Sequence, residues 1–165
     1  ISEVRPAIHY RPMTKGDVGH VPISCQGTKE EIDKRLEDLE SCAILGFDND
    51  KHVAQLQFRR FDPSLRSPNG LWDPIYWGDF GENAPCLPHD SLSIFCYHVG
   101  QLDDTNQREP SYHGCGIGLS LLDYFVDFNG PIVKSPSFFS LCIFQKPRVM
   151  KSNNFTSKRR KNWCT

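Results

Sequence analysis

Residues 110–128 read PSYHGCGIGLSLLDYFVDF and join a glycine-rich loop to an amphipathic helix. Ile117, Leu121 and Phe125 recur every four residues, so the predicted helix has a broad apolar face. Residues 129–131, Asn-Gly-Pro, are a typical helix stop. The segment therefore predicts a loop that leads directly into a helix packed on a core.

The loop has the chemistry of a phosphate-binding site. The first N–H groups of a helix lack intrahelical partners and carry a partial positive charge, and a phosphate satisfies both. Gly114, Gly116 and Gly118 have no Cβ and let a phosphate approach the backbone closely. A strong strand pattern at 92–99 precedes them. We favour a phosphate-binding loop here, and a glycine-rich helix start that binds nothing is the alternative.

Two common phosphate motifs fit poorly. The dinucleotide fingerprint G-x-G-x-x-G needs its third glycine where Leu119 stands, and an acidic residue about 20 positions later. No acid occurs after Asp127. A Walker loop needs G-K-S/T, which the chain lacks.

The rest of the pattern predicts a sheet flanked by helices. Thr28 and Glu31 form a capping box that starts a helix. We expect one α/β domain of the α+β type, with a mixed, largely antiparallel sheet. Apolar or alternating runs predict its strands at 8–11, 41–47, 52–59 and 92–99, the middle two as a hairpin.

Two segments interrupt this pattern. Residues 62–90 hold five prolines among several aromatic residues and predict a packed insertion, which either walls an acceptor pocket or only pins itself to the domain. Ile132-Val133 could begin another strand, but no clear periodicity follows. The predicted organisation is a domain over 1–134 and an atypical basic segment over 135–165.

The composition, with 38% hydrophobic and 24% charged residues, is that of an ordinary globular protein. No apolar run reaches the roughly 20 residues of a membrane helix, and no signal segment is evident. The sequence starts at Ile1, so the true N-terminus could lie upstream. Seven cysteines without a CxxC pair are interpreted as reduced, and the expected location is cytoplasmic.

The net charge of −1 hides an uneven distribution. Residues 129–165 contain eight Lys or Arg and no acid, so the rest carries 11 basic and 20 acidic residues. Such a tail can bind nucleic acid or direct a protein to the nucleus, and Lys158-Arg159-Arg160-Lys161 is its densest part. The simpler interpretation is a solvated end, so we expect nucleic acid not to be a partner.

The glycine motif resembles a known family signature. Residues 110–122, PSYHGCGIGLSLL, are similar to the P-x-x-R-G-x-G-I-G-x-x-L-L signature of the GNAT superfamily of acetyl-CoA-dependent N-acetyltransferases. Residues 11–17, RPMTKGD, resemble that family's opening R-P-x-x-x-x-D. The order of helix, hairpin, strand and glycine helix fits as well. The resemblance covers roughly residues 8 to 134.

The resemblance implies an acetyl-CoA cosubstrate and an unidentified primary amine as acceptor. Backbone N–H groups would hold the pyrophosphate, strand 92–99 would pair its edge with the pantetheine arm, and backbone donors would stabilise the oxyanion. The acyl group would sit near Tyr97, His98 and Val99. The implied cofactor-binding loop residues are His113, Gly114, Cys115, Gly116, Ile117 and Gly118.

Three departures from the family pattern bear on activity. His113 stands where Arg or Gln is usual, and Cys115 occupies an often basic position. Residues 135–165 show none of the closing elements of the family and contain no Tyr for a general acid. The competing hypothesis is therefore a GNAT-like module that binds CoA or a partner without turnover. An incomplete domain could also borrow a strand within a homodimer.

Two residues are candidates for the general base. His98 lies on the strand beside the expected thioester, and Glu109 is the second candidate. His98 could equally be a hydrogen-bonded sheet residue, and a water relay could replace any single base. We expect no metal, because the pairs Cys86-x-x-His89, Cys96-x-His98 and His113-x-Cys115 lack zinc-site spacing.

Overall fold

The computed structural model describes residues 6–22, 27–66, 77–84, 86–88, 90–105 and 107–130. Its centre is a four-stranded sheet in the order β1-β2-β3-β4, and each neighbouring pair is antiparallel. The strands are β1 (Ile8–Pro12), β2 (Ala43–Asp48), β3 (Lys51–Arg60) and β4 (Leu92–Val99). The helices are α1 (Lys29–Leu39), between β1 and β2, and α2 (Ile117–Phe128), after β4.

Most of the predicted elements are confirmed. The strand at 92–99, the hairpin, the helix that starts after Thr28 and the helix of the glycine motif are all present. The α+β class is confirmed, and within the described residues the sheet is wholly antiparallel rather than mixed. The possible strand at 132–133, the segment 135–165 and residues 67–76, 85 and 89 of the insertion at 62–90 lie outside the described residues.

Helix α2 covers one face of the sheet. Its apolar stripe is buried, and Leu121 is wholly inaccessible to solvent. Phe125 packs edge-on against Phe58 of β3, with ring centroids 4.9 Å apart. Leu56 of β3 joins the same cluster. This contact orients α2 across the sheet, and its N-terminus lies next to β4.

Helix α1 covers the opposite face. Its predicted capping box is confirmed, because the Thr28 hydroxyl accepts from the N–H of Glu31 and the Glu31 carboxylate accepts from the N–H of Thr28. Ile32 and Leu36 pack with Leu45 of β2 in a second buried cluster. Alternate residues of β2 and β3 therefore point to the α1 face and to the α2 face.

The opening motif around residues 11–17 is held by an ion pair. The Arg11 guanidinium donates to both carboxylate oxygens of Asp17, at 2.6 and 2.8 Å. That hydrogen bond is the main reason why the pKa of Asp17 falls to about 2. The backbone N–H of Thr14 also donates to Asp17. The pair ties the end of β1 to the 3₁₀ turn at Lys15–Asp17.

Within the described residues, no disulfide forms, and the four cysteines there are Cys42, Cys86, Cys96 and Cys115. In that same part of the chain, no helix has the length and apolar character needed to cross a membrane.

The α2 stripe provides a stability test with a control on the same helix. Leu121 is fully buried, whereas Leu119 is 66% exposed. We expect Leu121→Ala to lower the free energy of unfolding by about 3 kcal/mol, since it leaves a cavity. Leu119→Ala should change it by less than about 0.5 kcal/mol. Urea denaturation measures both, and equal effects would contradict this packing of α2.

Candidate functional site

The N-termini of the two helices differ in how their N–H groups are satisfied. α1 has its capping box and two acidic residues, Glu30 and Glu31, in its first turn. α2 begins after Gly116, and in this described region it has neither a side-chain cap nor an acidic residue in its first turn. Its first N–H groups and its partial positive charge are therefore available to an anion.

Two glycines of the loop are required by backbone conformation. Gly114 and Gly116 have φ of +74° and +79°, the left-handed region that side chains rarely adopt. A Cβ added at either would meet no atom within 4 Å. The space in front of both glycines is thus open, as the approach of a phosphate requires.

Gly118 has a different role from the other two. A Cβ there would lie 2.9 Å from the Tyr97 hydroxyl oxygen. The Tyr97 hydroxyl donates to the carbonyl oxygen of Gly118. Burial raises the pKa of Tyr97, which keeps the hydroxyl protonated as a donor. Gly118 therefore lets β4 approach the first turn of α2.

Tyr10 of β1 holds the same turn from the other side. Its hydroxyl lies 3.5 Å from the carbonyl oxygen of Ile117. The Tyr10 ring crosses β2 at Gly46, where an added Cβ would come within 3.2 Å of it. Ile117 itself is only 3% exposed and anchors the turn in the core. Tyr10 and Tyr97 together fix where the glycine loop faces.

The segment before the glycines is tied to the sheet. The N–H of Glu109 donates to the carbonyl oxygen of Gly100 at 2.9 Å. The Tyr112 hydroxyl lies 3.0 Å from a carboxylate oxygen of Asp48 at the end of β2. The Cys115 thiol contacts the carbonyl oxygen of Ser111 at 3.5 Å. The loop is therefore preorganised and does not depend on a ligand for its shape.

Strand β4 presents the outer edge of the described sheet and contains a bulge. Gln57 of β3 pairs with Cys96, whereas the next residue, Phe58, pairs with Ile94. Phe95 is the extra residue. A bulge bends its strand and leaves backbone groups outside the ladder, and bulges are frequent next to active sites. The bulge lies between the part of β4 that contacts α2, through Tyr97, and the part that begins at Leu92.

The predicted acyl-site residues of β4 divide between the two faces. Tyr97 pairs with Leu56, and Val99 pairs with Ala54, so both lie on the α2 face. His98 pairs with Gln55 on the α1 face. The structure thus brings Tyr97 to the glycine helix and places His98 on the other side of the sheet.

His98 is held between two side chains. Its Nδ1 lies 2.9 Å from Nη2 of Arg108, and its Nε2 lies 2.7 Å from Sγ of Cys96. Arginine can only donate, so Nδ1 must accept, and the proton of the neutral ring is assigned to Nε2. In this arrangement His98 donates through Nε2, and its role as general base stays a prediction.

Glu109, the second candidate base, is used as a cap. Its carboxylate accepts from the N–H of Ser111 at 3.2 Å at the start of the 3₁₀ turn Pro110–Tyr112. The backbone hydrogen bond lowers the pKa of Glu109. A carboxylate with a lowered pKa is a poor proton acceptor near neutral pH. The position before Pro110 explains this role, since such residues commonly cap a turn.

Two glutamines line the α1 face beside His98 and Cys96. Gln55 and Gln57 are both wholly buried. The Gln55 amide nitrogen donates to the carbonyl oxygen of Pro22, but its oxygen has no partner among the described residues. Neither the nitrogen nor the oxygen of Gln57 has one there either. Unpartnered buried amides are costly and frequently mark a functional position.

The remaining predicted loop residue, His113, is exposed and ends the 3₁₀ turn. Sequence reasoning missed Gln57 and Arg108 and set Cys96 aside. A signal for Cys96 did exist, because positions 96 and 98 of a strand share a face. Arg108 carries no such signal, since it comes from an irregular loop.

A groove of about 880 Å³ lies between α1 and the chain that follows β3. It is away from the glycine loop. Arg35 and Arg59 line its wall, and both guanidinium groups also lie over the Phe95 ring, 5.6 and 5.7 Å from its centroid. The groove therefore runs close to the β4 bulge from the α1 side.

Comparisons with known proteins do not add to this picture: no protein-family model matches the chain, and no significant match to a curated protein is found. Within the described residues, no group of three or more His, Cys, Asp or Glu could hold a metal ion.

His52 is a buried titratable group on β3, where it pairs with Phe47 of β2. It is 8% exposed, packs edge-on against Phe47 at 5.6 Å, and neither ring nitrogen has a hydrogen-bond partner in the described residues. Burial lowers its pKa from 6.5 to about 4. The unfolded chain therefore binds this proton more readily than the folded protein does.

The lowered pKa of His52 predicts a pH-dependent stability. The part of the unfolding free energy that depends on a neutral His52 is fully present above pH 6.5 and is lost as the pH falls toward 4. Between pH 7 and pH 4.5 the wild type should lose about 2 kcal/mol more unfolding free energy than His52→Leu. His20→Leu, at an exposed position, should behave like the wild type. Denaturation curves across this range measure the difference, and parallel losses in wild type and His52→Leu would contradict it.

Proposed function

We propose that the protein is an N-acetyltransferase that moves an acetyl group from acetyl-CoA to a primary amine. The observation that carries the proposal is the uncapped N-terminus of α2, held beside the outer edge of β4. Gly114 and Gly116 leave open space in front of it. The resemblance of residues 110–122 to the acyl-CoA signature supports the same assignment.

The two parts of the site suit the two parts of coenzyme A. Pyrophosphate is an anion that accepts hydrogen bonds, and N–H groups between 114 and 118 would donate to it. The pantetheine arm contains amides, and an exposed strand edge such as that of β4 binds extended amide chains through its backbone. An arm that starts at α2 and follows β4 reaches the bulge at Phe95.

The simplest chemistry for this transfer is direct attack of the amine on the thioester at the bulge. The amine nitrogen bonds to the acetyl carbon, the C–S bond breaks, and the CoA thiolate takes up a proton. Negative charge on the carbonyl oxygen is stabilised by N–H donors. Backbone groups that the bulge frees from the ladder are suitable donors. The proton of the amine leaves through water, because Glu109 and His98 are both engaged as described above.

Acetyl-CoA binding is the first test of this proposal. Calorimetric titration should show saturable binding by the wild type and at least tenfold weaker binding by Gly116→Trp, since the indole would fill the phosphate approach. Gly19→Trp is the matched control: Gly19 has φ of +86° and open space, so its strain is comparable. The control should bind like the wild type.

Other results would contradict the assignment. Wild-type protein that is folded by circular dichroism but does not bind acetyl-CoA would rule out the enzyme. Equal weakening by both tryptophan variants would mean that strain, and not the glycine loop, explains the effect. Binding without release of CoA thiol across a panel of amines would favour the alternative, a CoA-binding module without turnover.

A further inference from the structure

The thiol of Cys96 lies in a cluster that has the parts of a nucleophilic site. The cluster consists of Cys96 and His98 on β4, Gln57 on β3 and Arg108 from the following loop. Cys96 and His98 share the α1 face, and Gln57 lies directly opposite Cys96 in the β3–β4 ladder. Direct amine attack at the β4 edge uses none of these side chains, which leaves their arrangement unexplained.

The hydrogen bonds of the cluster direct a donor at the sulfur. Arg108 donates to Nδ1 of His98 at 2.9 Å, so Nε2 carries the ring proton and points to Sγ of Cys96 at 2.7 Å. The sulfur is the acceptor in this contact. A thiolate is the nucleophilic form of cysteine, and donors and positive charge nearby stabilise it. His98 and Arg108 act here as positioning residues.

Gln57 adds a second, independent observation. Its side chain is wholly buried, and in the described residues neither amide atom has a hydrogen-bond partner. Directly opposite residues on one face of an antiparallel pair have Cβ atoms roughly 5 Å apart. Gln57 and Cys96 are therefore neighbours on the α1 face, and the two N–H donors of this amide are not used by any group in the described residues. They would be available to an oxyanion formed when the sulfur attacks a carbonyl.

We propose that Cys96 accepts the acetyl group from acetyl-CoA and passes it to the amine, so that the transfer has two steps. The proposal rests on the proposed function. A pantetheine arm on the outer edge of β4 would reach the strand where Phe95 bulges, one residue before Cys96. The thioester could then cross from the α2 side to the α1 face.

The steps balance without a further reactant. Cys96 loses its proton to solvent, and its sulfur bonds to the acetyl carbon while the bond to the CoA sulfur breaks. The CoA thiolate takes a proton from solvent. The amine nitrogen then attacks the Cys96 thioester, the amide forms, the Cys96 thiolate returns, and the amine proton goes to solvent. Gln57 would donate to the carbonyl oxygen in both steps.

The test is the intact mass of the wild-type protein mixed with acetyl-CoA in the absence of amine. We expect a gain of one acetyl group that neutral hydroxylamine removes and that peptide mapping places at Cys96. Addition of an amine should discharge it at least as fast as steady-state turnover. Cys86→Ser, at an exposed cysteine, should keep the label, whereas Cys96→Ala should lose it.

A second variant tests the role of the amide. Gln57→Leu keeps a similar volume without donors and should slow acetylation of Cys96 by about 10²-fold. Its Kd for acetyl-CoA should stay that of the wild type, which a merely misfolded variant would not show.

Failure of this inference is distinguishable from failure of the proposed function. A wild type that binds acetyl-CoA and acetylates amines, but never carries a label on Cys96, would overturn the two-step transfer and leave direct transfer intact. Full turnover by Cys96→Ala would do the same. Absence of acetyl-CoA binding in calorimetry would contradict both the proposed function and the two-step transfer.

Discussion

The packing of the α2 stripe on β3 is the constraint on which the rest of the site depends. Phe125 against Phe58, with Leu121 fully buried, sets the direction of the helix, and that direction determines which atoms its N-terminus faces. Tyr10 and Tyr97 then fix the first turn from opposite edges of the sheet. A glycine loop can present N–H groups in a defined direction only because its helix cannot rotate on the core. The packing of α2 therefore also sets the direction from which an anion would bind under the proposed function.

β4 carries candidate site residues on both faces of the sheet. Its alternation sends Tyr97 to the α2 face and His98 to the α1 face, and its bulge at Phe95 shifts the pairing with β3 between Ile94 and Cys96. A ligand that follows the strand edge is in reach of both sets of side chains. The phosphate end and the reacting end of a long cofactor can therefore be held on different sides of one strand. This division lets the fold keep an apolar core under α2 and a polar strip on the face toward α1.

Periodicity carried most of the fold prediction, because each helix buries one apolar stripe and β2, which is covered on both faces, is a nearly continuous apolar run. The pattern at 92–99 and the i, i+4 pattern from Ile117 both match the observed elements. Periodicity does not predict the other features of the site. The bulge at Phe95 leaves no mark in the residue pattern, and the contact of Arg108 with His98 depends on the path of an irregular loop. Glu109 was considered as a base from its residue type, whereas its position before Pro110 makes it a cap. Gly118 was grouped with the ligand-binding glycines, although close packing with Tyr97 accounts for it.

Two features beside β4 lower the stability of the fold, one on each face of the sheet. A helix whose N-cap is glycine, as Gly116 is in α2, gives up roughly a few tenths of a kcal/mol relative to one capped by a side chain, and a buried amide without partners costs about 1–3 kcal/mol. α1 shows that this chain can cap a helix fully, through Thr28 and Glu31. Among the buried polar residues, Ser41 lies within hydrogen-bond distance of two backbone carbonyls. The ring nitrogens of His52 and the Gln55 oxygen, like the Gln57 amide, have no partner in the described residues, and all three residues lie on β3. The uncapped start of α2 and the Gln57 amide are the two departures beside β4. Local rules are broken mainly where function needs groups left available, and under the two proposals one set of N–H donors would bind a phosphate and the other an oxyanion.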